Sequence, residues 1–254
     1  MNKFFRIIPT LLLMNGGLVK TVNFKKPNYI GDPINIVKIF NEKEADEITI
    51  LDISATRNNS ELNYDFIRDI ISEAFMPVGY GGGIKSLCQI EKLFEIGVEK
   101  VILNSACFKR LNLIQEASEK YGNQSIVVCV DIKKNLFGKY NIFSNSGEKK
   151  QKISLEEYIK EIENSGAGEI IVNSIDRDGT MKGYDLDILK EINKKVKTPL
   201  IALGGAGRNK HLKEAIEAGI SGVAAGSLFI YQGVHKAVLI SYIKNEDLFE
   251  YHIN

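Results

Sequence analysis

The sequence has few of the features that define membrane, secreted or nucleic-acid-binding proteins. Its longest apolar run, IIPTLLLM, is too short to span a bilayer. The net charge is +1, so bulk electrostatics favour neither a nucleic acid nor a membrane surface as a partner. One Lys and one Arg precede this run, but no small-residue cleavage site follows it, and we predict no signal peptide.

Cysteine and histidine are scarce and scattered along the chain. Cys88, Cys107 and Cys129 are odd in number and have no metal-ligand spacing, a usage typical of a reducing compartment, so we expect a cytoplasmic protein. Cys129 lies within the apolar run IVVCV and is predicted to be a small buried side chain. The three histidines fall in the last fifth of the chain without forming a ligand cluster. We therefore expect neither a metal nor a cofactor.

Eight continuous apolar segments predict eight buried strands. They lie at 7–13, 48–53, 77–80, 100–105, 126–132, 169–175, 199–203 and 222–226. Continuous apolar runs, unlike alternating ones, are typical of strands buried on both faces. Amphipathic helical patterns lie between them, for example at 32–45, 86–97, 154–166 and 209–219. Gly97, Gly166 and Gly219 are predicted to end three of these helices.

The alternation of eight strands with helices over 254 residues favours an α/β fold of the (β/α)8 TIM barrel type over an open doubly wound sheet. No linker or low-complexity stretch divides the chain, so we predict one domain over residues 1–254. The segment at 135–152 is longer than a usual connection. We predict that it forms a hairpin after the fifth strand, with Asn145, Ser146 and Gly147 in its turn.

One short pattern occurs twice, half a molecule apart. YGGGI is followed by LNSA, and LGGAG is followed by AAGS. The distance from Gly82 to Asn104 is 22 positions, as is the distance from Gly204 to Gly226. LDISA and SIDRDGT, each with an acidic residue leaving a strand, extend the duplication. The barrel is therefore predicted to consist of two fused half-barrel repeats.

The glycines of this repeated unit indicate an anion site. Glycines after a strand let backbone N–H groups approach an anion, and the next helix adds its N-terminal dipole. Tight turns without a ligand are the alternative, but two units at matched spacing favour the functional interpretation. In a barrel these loops lie at the carboxyl ends of the strands, where such folds bind phosphate. We predict a ligand with a phosphate at each end.

Charged residues mark both ends of the predicted barrel. Asp131 follows IVVCV, where its default role is a general acid or base and its alternative is to cap the next loop. Asp52 and Asp178 lie at equivalent ends, and Asp178 has a turn with Gly179 as its alternative role. Four charges begin strands at the other end: Arg6, Glu47, Lys100 and Glu169. If all four point inward they form a salt-bridged ring at the bottom of the barrel, and otherwise they are solvated strand edges.

Nine short segments carry a family resemblance. They are RII, NGGLVK, GDP, LDISA, GGGI, ASEKYGNQSIVVCVD, SGAGEI, SIDRDGTMKGYD and GGAG. Over about residues 6–230 they resemble, almost collinearly, the cyclase subunit of imidazole glycerol phosphate synthase. The SIDRDGT segment separates them from the sister isomerase family, which shares the half-barrels. The resemblance implies a lyase-type cyclase. In the resembling family, ammonia from a separate glutaminase subunit enters at the bottom, crosses the core and reacts at the top with a bisphosphate, giving imidazole glycerol phosphate and an aminoimidazole carboxamide ribotide.

The resemblance also implies a role for each matching residue. One substrate phosphate would be held by Gly82, Gly83, Asn104 and Ser105, and the other by Asp178, Gly179, Gly204, Gly205, Gly226 and Ser227. Lys20 matches a substrate-contacting lysine in the first loop, and Asp131 matches one of two catalytic aspartates. Arg6, Glu47, Lys100 and Glu169 match a charged ammonia gate, and Glu99 matches an acid at the glutaminase interface.

The chain departs from the family pattern at the other catalytic aspartate, whose position is occupied by Leu12. Leucine cannot transfer a proton, and loss of one acid–base group typically lowers the rate on the order of 10²–10⁴-fold. Leu203 stands where the family has a small polar residue, and Asn173 where it has Thr. The segments RIIPxLLL, NGGLVK and xYIGDPIN resemble a subgroup encoded with surface-sugar biosynthesis, in which a cyclase-like barrel and a glutaminase-like partner deliver ammonia to a sugar amidotransferase.

These observations predict the synthase-side subunit of a glutamine amidotransferase. The glutaminase is expected at the amino-terminal face of the barrel and a phosphorylated small molecule at the carboxyl-terminal face. Leu12 favours a paralogue that serves amidation of a nucleotide-linked or surface sugar. One alternative is an ordinary cyclase of histidine biosynthesis. Another is a non-catalytic scaffold that activates the glutaminase, against which the retained glycine loops weigh.

Overall fold

Eight parallel strands close into a barrel in the computed structural model of the chain, which describes residues 5–58 and 60–250. In chain order they are β1 (Arg6–Met14), β2 (Ile48–Asp52), β3 (Val78–Gly81), β4 (Lys100–Leu103), β5 (Ile126–Lys134), β6 (Glu169–Ser174), β7 (Leu200–Leu203) and β8 (Gly222–Ala225). Each strand pairs with the next, and β8 pairs with β1, so the sheet closes on itself. The predicted (β/α)8 barrel is confirmed.

Helices alternate with these strands and cover the outside of the barrel. They are α1 (Pro33–Glu42), α2 (Tyr64–Ser72), α3 (Leu87–Glu95), α4 (Asn112–Tyr121), α5 (Leu155–Asn164), α6 (Leu186–Asn193) and α7 (Asn209–Glu217). Shorter helices lie at Ala55–Asn58, Ser227–Ile230 and Asn245–Glu250, with a 3-10 turn at Asn123–Ser125. Within the described ranges, no helix is both long and apolar enough to cross a membrane.

Local sequence signals explain where the helices begin and end. The Ser154 hydroxyl accepts a hydrogen bond of 3.2 Å from the backbone N–H of Glu157, which caps the start of α5. Gly97, Gly166 and Gly219 follow the ends of α3, α5 and α7 with φ angles of 100°, 91° and 88°. Glycine adopts this left-handed conformation without a steric penalty, so the predicted helix ends are confirmed.

The strands separate two apolar cores, because successive side chains of a strand face opposite sides. On β1, Ile7, Leu11 and Leu13 pack outward in the core under the helices. Ile8 points inward, and the barrel interior is filled by Ile8, Ile102, Val127, Cys129, Ile171, Ile201, Leu203 and Ala224. The buried position predicted for Cys129 is confirmed. The inner core therefore connects the bottom of the barrel with its top.

Antiparallel excursions follow β1 and β5, which are the corresponding strands of the two halves. After β1, Gly17–Val22 pairs with Lys25–Gly31. After β5, Tyr140–Ser144 pairs with β5 and with Lys149–Lys150, which confirms the predicted hairpin and its turn at 145–147. The sequence does not predict the first excursion, because its second strand is mostly exposed and carries no apolar run. The matching places of the two excursions agree with a half-barrel duplication.

Candidate functional site

A cavity of about 360 Å³ opens at the carboxyl ends of the barrel strands. Its lining includes every residue predicted to act in catalysis or phosphate binding, together with the departing position 12: Leu12, Lys20, Gly82, Gly83, Asn104, Ser105, Asp131, Asp178, Gly179, Gly204, Gly205, Gly226 and Ser227. The fold thus brings together residues that are more than 200 positions apart in the sequence. Their common location does not by itself assign their roles, which follow from the local geometry.

The first glycine loop leaves β3 in a conformation that requires glycine. Gly82 and Gly83 have φ angles of 106° and 72°. A Cβ at Gly82 would collide with the carbonyl of Asp52, and one at Gly83 would lie 2.9 Å from the Cβ of Ala55. The backbone therefore packs closely against the next loop while it lines the cavity. Glycine backbone that lines a cavity without side chains is suited to the approach of an anion.

The second glycine loop, after β7, also has a backbone conformation that requires glycine. Gly204 and Gly205 have φ angles of 89° and 115°, and a Cβ at Gly205 would collide with the carbonyl of Gly183. A Cβ at Gly226 would instead collide with the Nζ atom of Lys20. Gly226 therefore leaves space for the Lys20 ammonium at this end of the cavity.

Lys20 is buried between Asp178, in the loop after β6, and Gly226, directly after β8. Burial lowers the pKa of its ammonium, and the nearby carboxylate of Asp178 opposes this shift. Asp178 in turn accepts a hydrogen bond of 2.8 Å from the Thr21 hydroxyl. A Cβ at Gly179 would collide with the Thr21 carbonyl, so the Asp178–Gly179 turn packs on the strand that carries Lys20. A buried cation beside glycine backbone that lines the cavity is the arrangement expected of an anion site.

Asp131 is the buried carboxylate of the cavity, with 6% of its surface exposed. Its Oδ2 accepts a hydrogen bond of 2.8 Å from Asn104 Nδ2, and its Oδ1 accepts one of 2.9 Å from Asn173 Nδ2. Burial raises the pKa of Asp131 to about 7, although these two hydrogen bonds oppose the rise. A carboxyl that titrates near neutral pH is suited to proton transfer.

Asp52, and not Asp131, caps the loop that follows its strand. Asp52 Oδ1 accepts hydrogen bonds from the backbone N–H and hydroxyl of Ser54 at 2.9 and 2.7 Å, and from the backbone N–H of Ala55 at 2.9 Å. These bonds fix the loop after β2 next to the first glycine loop. Asp131 is instead held by two side-chain amides.

Asn104 and Asn173 take positions that the sequence does not predict. The resemblance implied a phosphate contact for Asn104 and a place at the second phosphate site for the Asn173 position. Both amides hold Asp131, and the phosphate contact of Asn104 stays a prediction. Asn173 Oδ1 is buried without a hydrogen-bond partner in the described ranges, and a Cβ at Gly204 would lie 3.0 Å from it. The strand register explains the contact, because Asn173 lies directly beside Asp131 in the β5–β6 pair.

Leu12 presents an apolar side chain to the cavity. It is 9% exposed, lies near the end of β1 and is adjacent to Leu51 in the β1–β2 register. β1 and β5 are four strands apart in either direction around the barrel, so Leu12 and Asp131 belong to opposite walls. Within the described ranges, Met14 is the next inward residue of β1, so this strand contributes no carboxylate to the cavity.

The four charges at the amino-terminal end form a closed ring of alternating sign. Arg6 lies 3.2 Å from Glu47 and 2.7 Å from Glu169, and Lys100 lies 2.8 Å from Glu47 and 3.1 Å from Glu169. The side chains of Glu47 and Glu169 are only 8% and 12% exposed. These charges are therefore not solvated strand edges but the floor beneath the apolar interior of the barrel.

Four cations that the sequence analysis did not single out also line the cavity. They are Arg57, Lys85, Lys109 and Arg110. Each lies within five positions after a predicted apolar segment. A search for cations in the loops that follow the strands would therefore have found them.

The fold and the cavity define a two-half (β/α)8 barrel with paired glycine loops and a buried carboxylate at its carboxyl-terminal face. The chain belongs to the histidine biosynthesis protein family, whose pattern matches residues 6–236. It is 51% identical over 244 residues to a Leptospira interrogans protein provisionally named imidazole glycerol phosphate synthase subunit HisF, covering 95% of this chain and 96% of that protein.

Two further relatives define the place of the chain within this family. A Pseudomonas aeruginosa protein provisionally named subunit hisF2 is 50% identical over 238 residues, which cover 93% of this chain and 95% of that protein. The Streptomyces coelicolor imidazole glycerol phosphate synthase subunit HisF is 39% identical over 224 residues, which cover 88% and 89%. The chain is thus a HisF-like subunit of the cyclase type, as the resemblance indicated.

Proposed function

We propose that this chain is the synthase-side subunit of a glutamine amidotransferase and that it passes ammonia to a separate sugar amidotransferase for amidation of a nucleotide-linked or surface sugar. The observation that carries the proposal is the inward face of β1. It begins with Arg6 in the charged ring and presents Leu12 and then Met14 to the cavity. The strand thus joins a floor suited to ammonia entry with a cavity wall that has no proton-transfer group opposite Asp131.

The floor and the inner core support an ammonia path. Neutral ammonia can cross an apolar interior with a much smaller desolvation penalty than ammonium. The ring pairs two cations with two carboxylates and carries no net charge, so the selection of ammonia over ammonium comes from the cost of moving an unpaired charge into the interior above it. Above the ring, the interior is lined mainly by apolar side chains, with the uncharged Thr49 and Thr10 among them, up to Asp131. The glutaminase would dock at this amino-terminal face, where Glu99 is exposed next to the ring residue Lys100.

Leu12 supports a product other than an imidazole. Ring closure in the resembling cyclases uses an acid and a base, and Asp131 supplies one such group here. On the wall opposite Asp131, the side chain at position 12 is a leucine. No protein group at that position can therefore carry out the second proton transfer. The numbered name of the Pseudomonas aeruginosa relative is the kind given to an additional gene copy, which agrees with a paralogue beside an ordinary cyclase.

The test is transfer of labelled nitrogen in a reconstituted complex. The chain, its glutaminase and the candidate sugar amidotransferase are supplied with amide-labelled glutamine and a nucleotide-linked sugar. We expect label in the sugar when all three proteins are present, and free labelled ammonium when this chain is omitted. Equal labelling without the chain would contradict the proposed channel.

A second assay separates this function from the ordinary cyclase. The chain is supplied with ammonium and the bisphosphate substrate of histidine biosynthesis. We expect imidazole formation on the order of 10²–10⁴-fold slower than in a HisF protein that has both acid–base groups. Turnover equal to such a protein, or rescue of a histidine auxotroph lacking its cyclase, would show that the chain is an ordinary cyclase.

A further inference from the structure

Positive charge is distributed unevenly around the mouth of the cavity. The loops after β2, β3 and β4 contribute Arg57, Lys85, Lys109 and Arg110 to its lining. The loops after β6, β7 and β8 contribute Asp178 but no Lys or Arg in the part of the chain that the structure describes. The buried Lys20 supplies the positive charge at that end. The two glycine units are therefore similar in backbone but different in charge.

We infer that the first-half end of the cavity binds a diphosphate, whereas the second-half end binds a single phosphate. Glycine backbone and one cation, the combination present at Gly226 and Lys20, match the charge and donors of one phosphoryl group. Four additional cations at the other end provide partners for the oxygens of a second phosphoryl group. This assignment goes beyond the proposed function, in which the sugar is amidated on the separate amidotransferase, and it names the chemical class of the group bound in this cavity, a diphosphate.

The two arginines are held in pairs that a ligand can replace. Arg57 Nε lies 3.0 Å from Glu148, and Arg110 Nη2 lies 2.6 Å from Glu116. Both pairs are partly or largely exposed to solvent, and such pairs contribute only about 0–1 kcal/mol. Neither glutamate lines the cavity. A guanidinium can therefore turn from its glutamate to a phosphate, whose oxygens it binds in a bidentate manner.

Lys109 is the cation most open to a ligand. It is exposed, and no ion-pair partner lies near it in the described ranges. A generally basic surface does not explain its neighbours, since the net charge of the whole chain is only +1. The concentration of four cations at one end of one cavity is therefore a local property of the site.

The test compares pyrophosphate with orthophosphate by isothermal titration calorimetry on the purified chain at constant ionic strength. We expect pyrophosphate to bind about ten-fold or more tightly than orthophosphate. The Lys109→Gln/Arg110→Gln variant should lose about ten-fold in pyrophosphate affinity, with a smaller loss for orthophosphate. The Lys190→Gln/Lys194→Gln variant removes the same charge from α6, outside the cavity lining, and should bind both anions like the wild type.

Equal affinity for the two anions, or equal losses in the cavity and α6 variants, would overturn the inference. Thermal unfolding establishes whether each variant is folded, and Arg57→Gln serves as a second cavity variant if the double variant is not. Neither the glutaminase nor a sugar amidotransferase is needed for this titration. If pyrophosphate is not preferred, the diphosphate inference fails but the ammonia transfer can still be observed. If the transfer assay fails, the proposed function fails but a measured preference for pyrophosphate still stands.

Discussion

Asn173 Nδ2 donates a hydrogen bond of 2.9 Å to Oδ1 of Asp131, its direct neighbour in the register of β5 and β6. Asn104, which directly follows β4, holds the other carboxylate oxygen from the opposite side of β5. Asn173 and Asp131 therefore lie in adjacent strands whose backbone hydrogen bonds fix their separation, and Asn104 extends from the neighbouring strand end. We expect Asn173 to be a positioning residue that acts through Asp131.

The first prediction concerns this contact. Asn173→Leu removes a donor that stabilises the carboxylate, so the pKa of Asp131 should rise further above its value of about 7. Carbon NMR of the labelled aspartate carboxyl measures this pKa. Asn193→Leu, at the end of α6, is the matched control and should leave it unchanged. An unshifted pKa in Asn173→Leu would show that this hydrogen bond does not stabilise the ionised form.

The second prediction concerns stability and pH. The pKa of Asp131 is raised from 3.8 to about 7 on folding, so the folded state binds the proton more tightly than the unfolded state. Its contribution to the free energy of unfolding is fully present below pH 3.8 and is lost as the pH rises to about 7. The loss is roughly 4 kcal/mol.

Urea denaturation over this pH range checks the second prediction. In Asp131→Asn the titrating group is absent, and the wild type should lose stability relative to this variant as the pH rises. The Asn173 amide can rotate to offer Oδ1 to the new amide, so the variant is expected to fold. Parallel pH profiles of the two proteins would contradict a raised pKa for Asp131.

The third prediction concerns the charged ring. Lys100→Glu places a third carboxylate beside Glu47 and Glu169, which lie 2.8 and 3.1 Å from the Lys100 ammonium. We expect the ring to open and glutamine hydrolysis to exceed nitrogen transfer in the complex with the glutaminase. Lys160→Glu introduces the same charge change at an exposed position within α5, away from the ends of the barrel, and should keep the two rates equal. Tight coupling in Lys100→Glu would rule out a gating role for the ring.

The fourth prediction concerns Leu12. Leu12→Asp adds a carboxyl to the wall opposite Asp131 and should raise imidazole formation from ammonium and the histidine-pathway bisphosphate. Leu12→Asn, which is polar but transfers no proton, should not. Recovery should be partial, because Leu203 and Asn173 also differ from the family pattern. The measurement is the rate of imidazole formation by each variant at neutral pH. Equal rates in Leu12→Asp and Leu12→Asn would indicate a polarity effect rather than proton transfer.

The sequence predicts the barrel well because its strands are continuous apolar runs and its helices carry clear start and stop residues. It also predicts which residues surround the cavity, since strand ends of a barrel meet at one face. It does not predict the partners of Asp131, which depend on the register between β5 and its neighbours. It also misses the excursion after β1, because an exposed polar hairpin lacks the apolar periodicity on which the other strands depend.

The ring also has a consequence for how the barrel comes together. Arg6, Glu47 and Lys100 come from the first half-barrel, whereas Glu169 comes from the second. The first half alone would carry one unbalanced positive charge at its base, and the second would carry the compensating negative charge. The ring is thus a seam between the halves, and it closes in the same step that joins them. If the two half-barrels were produced separately, their bases would carry opposite charges. This favours association of the first half with the second half over pairing of two identical halves.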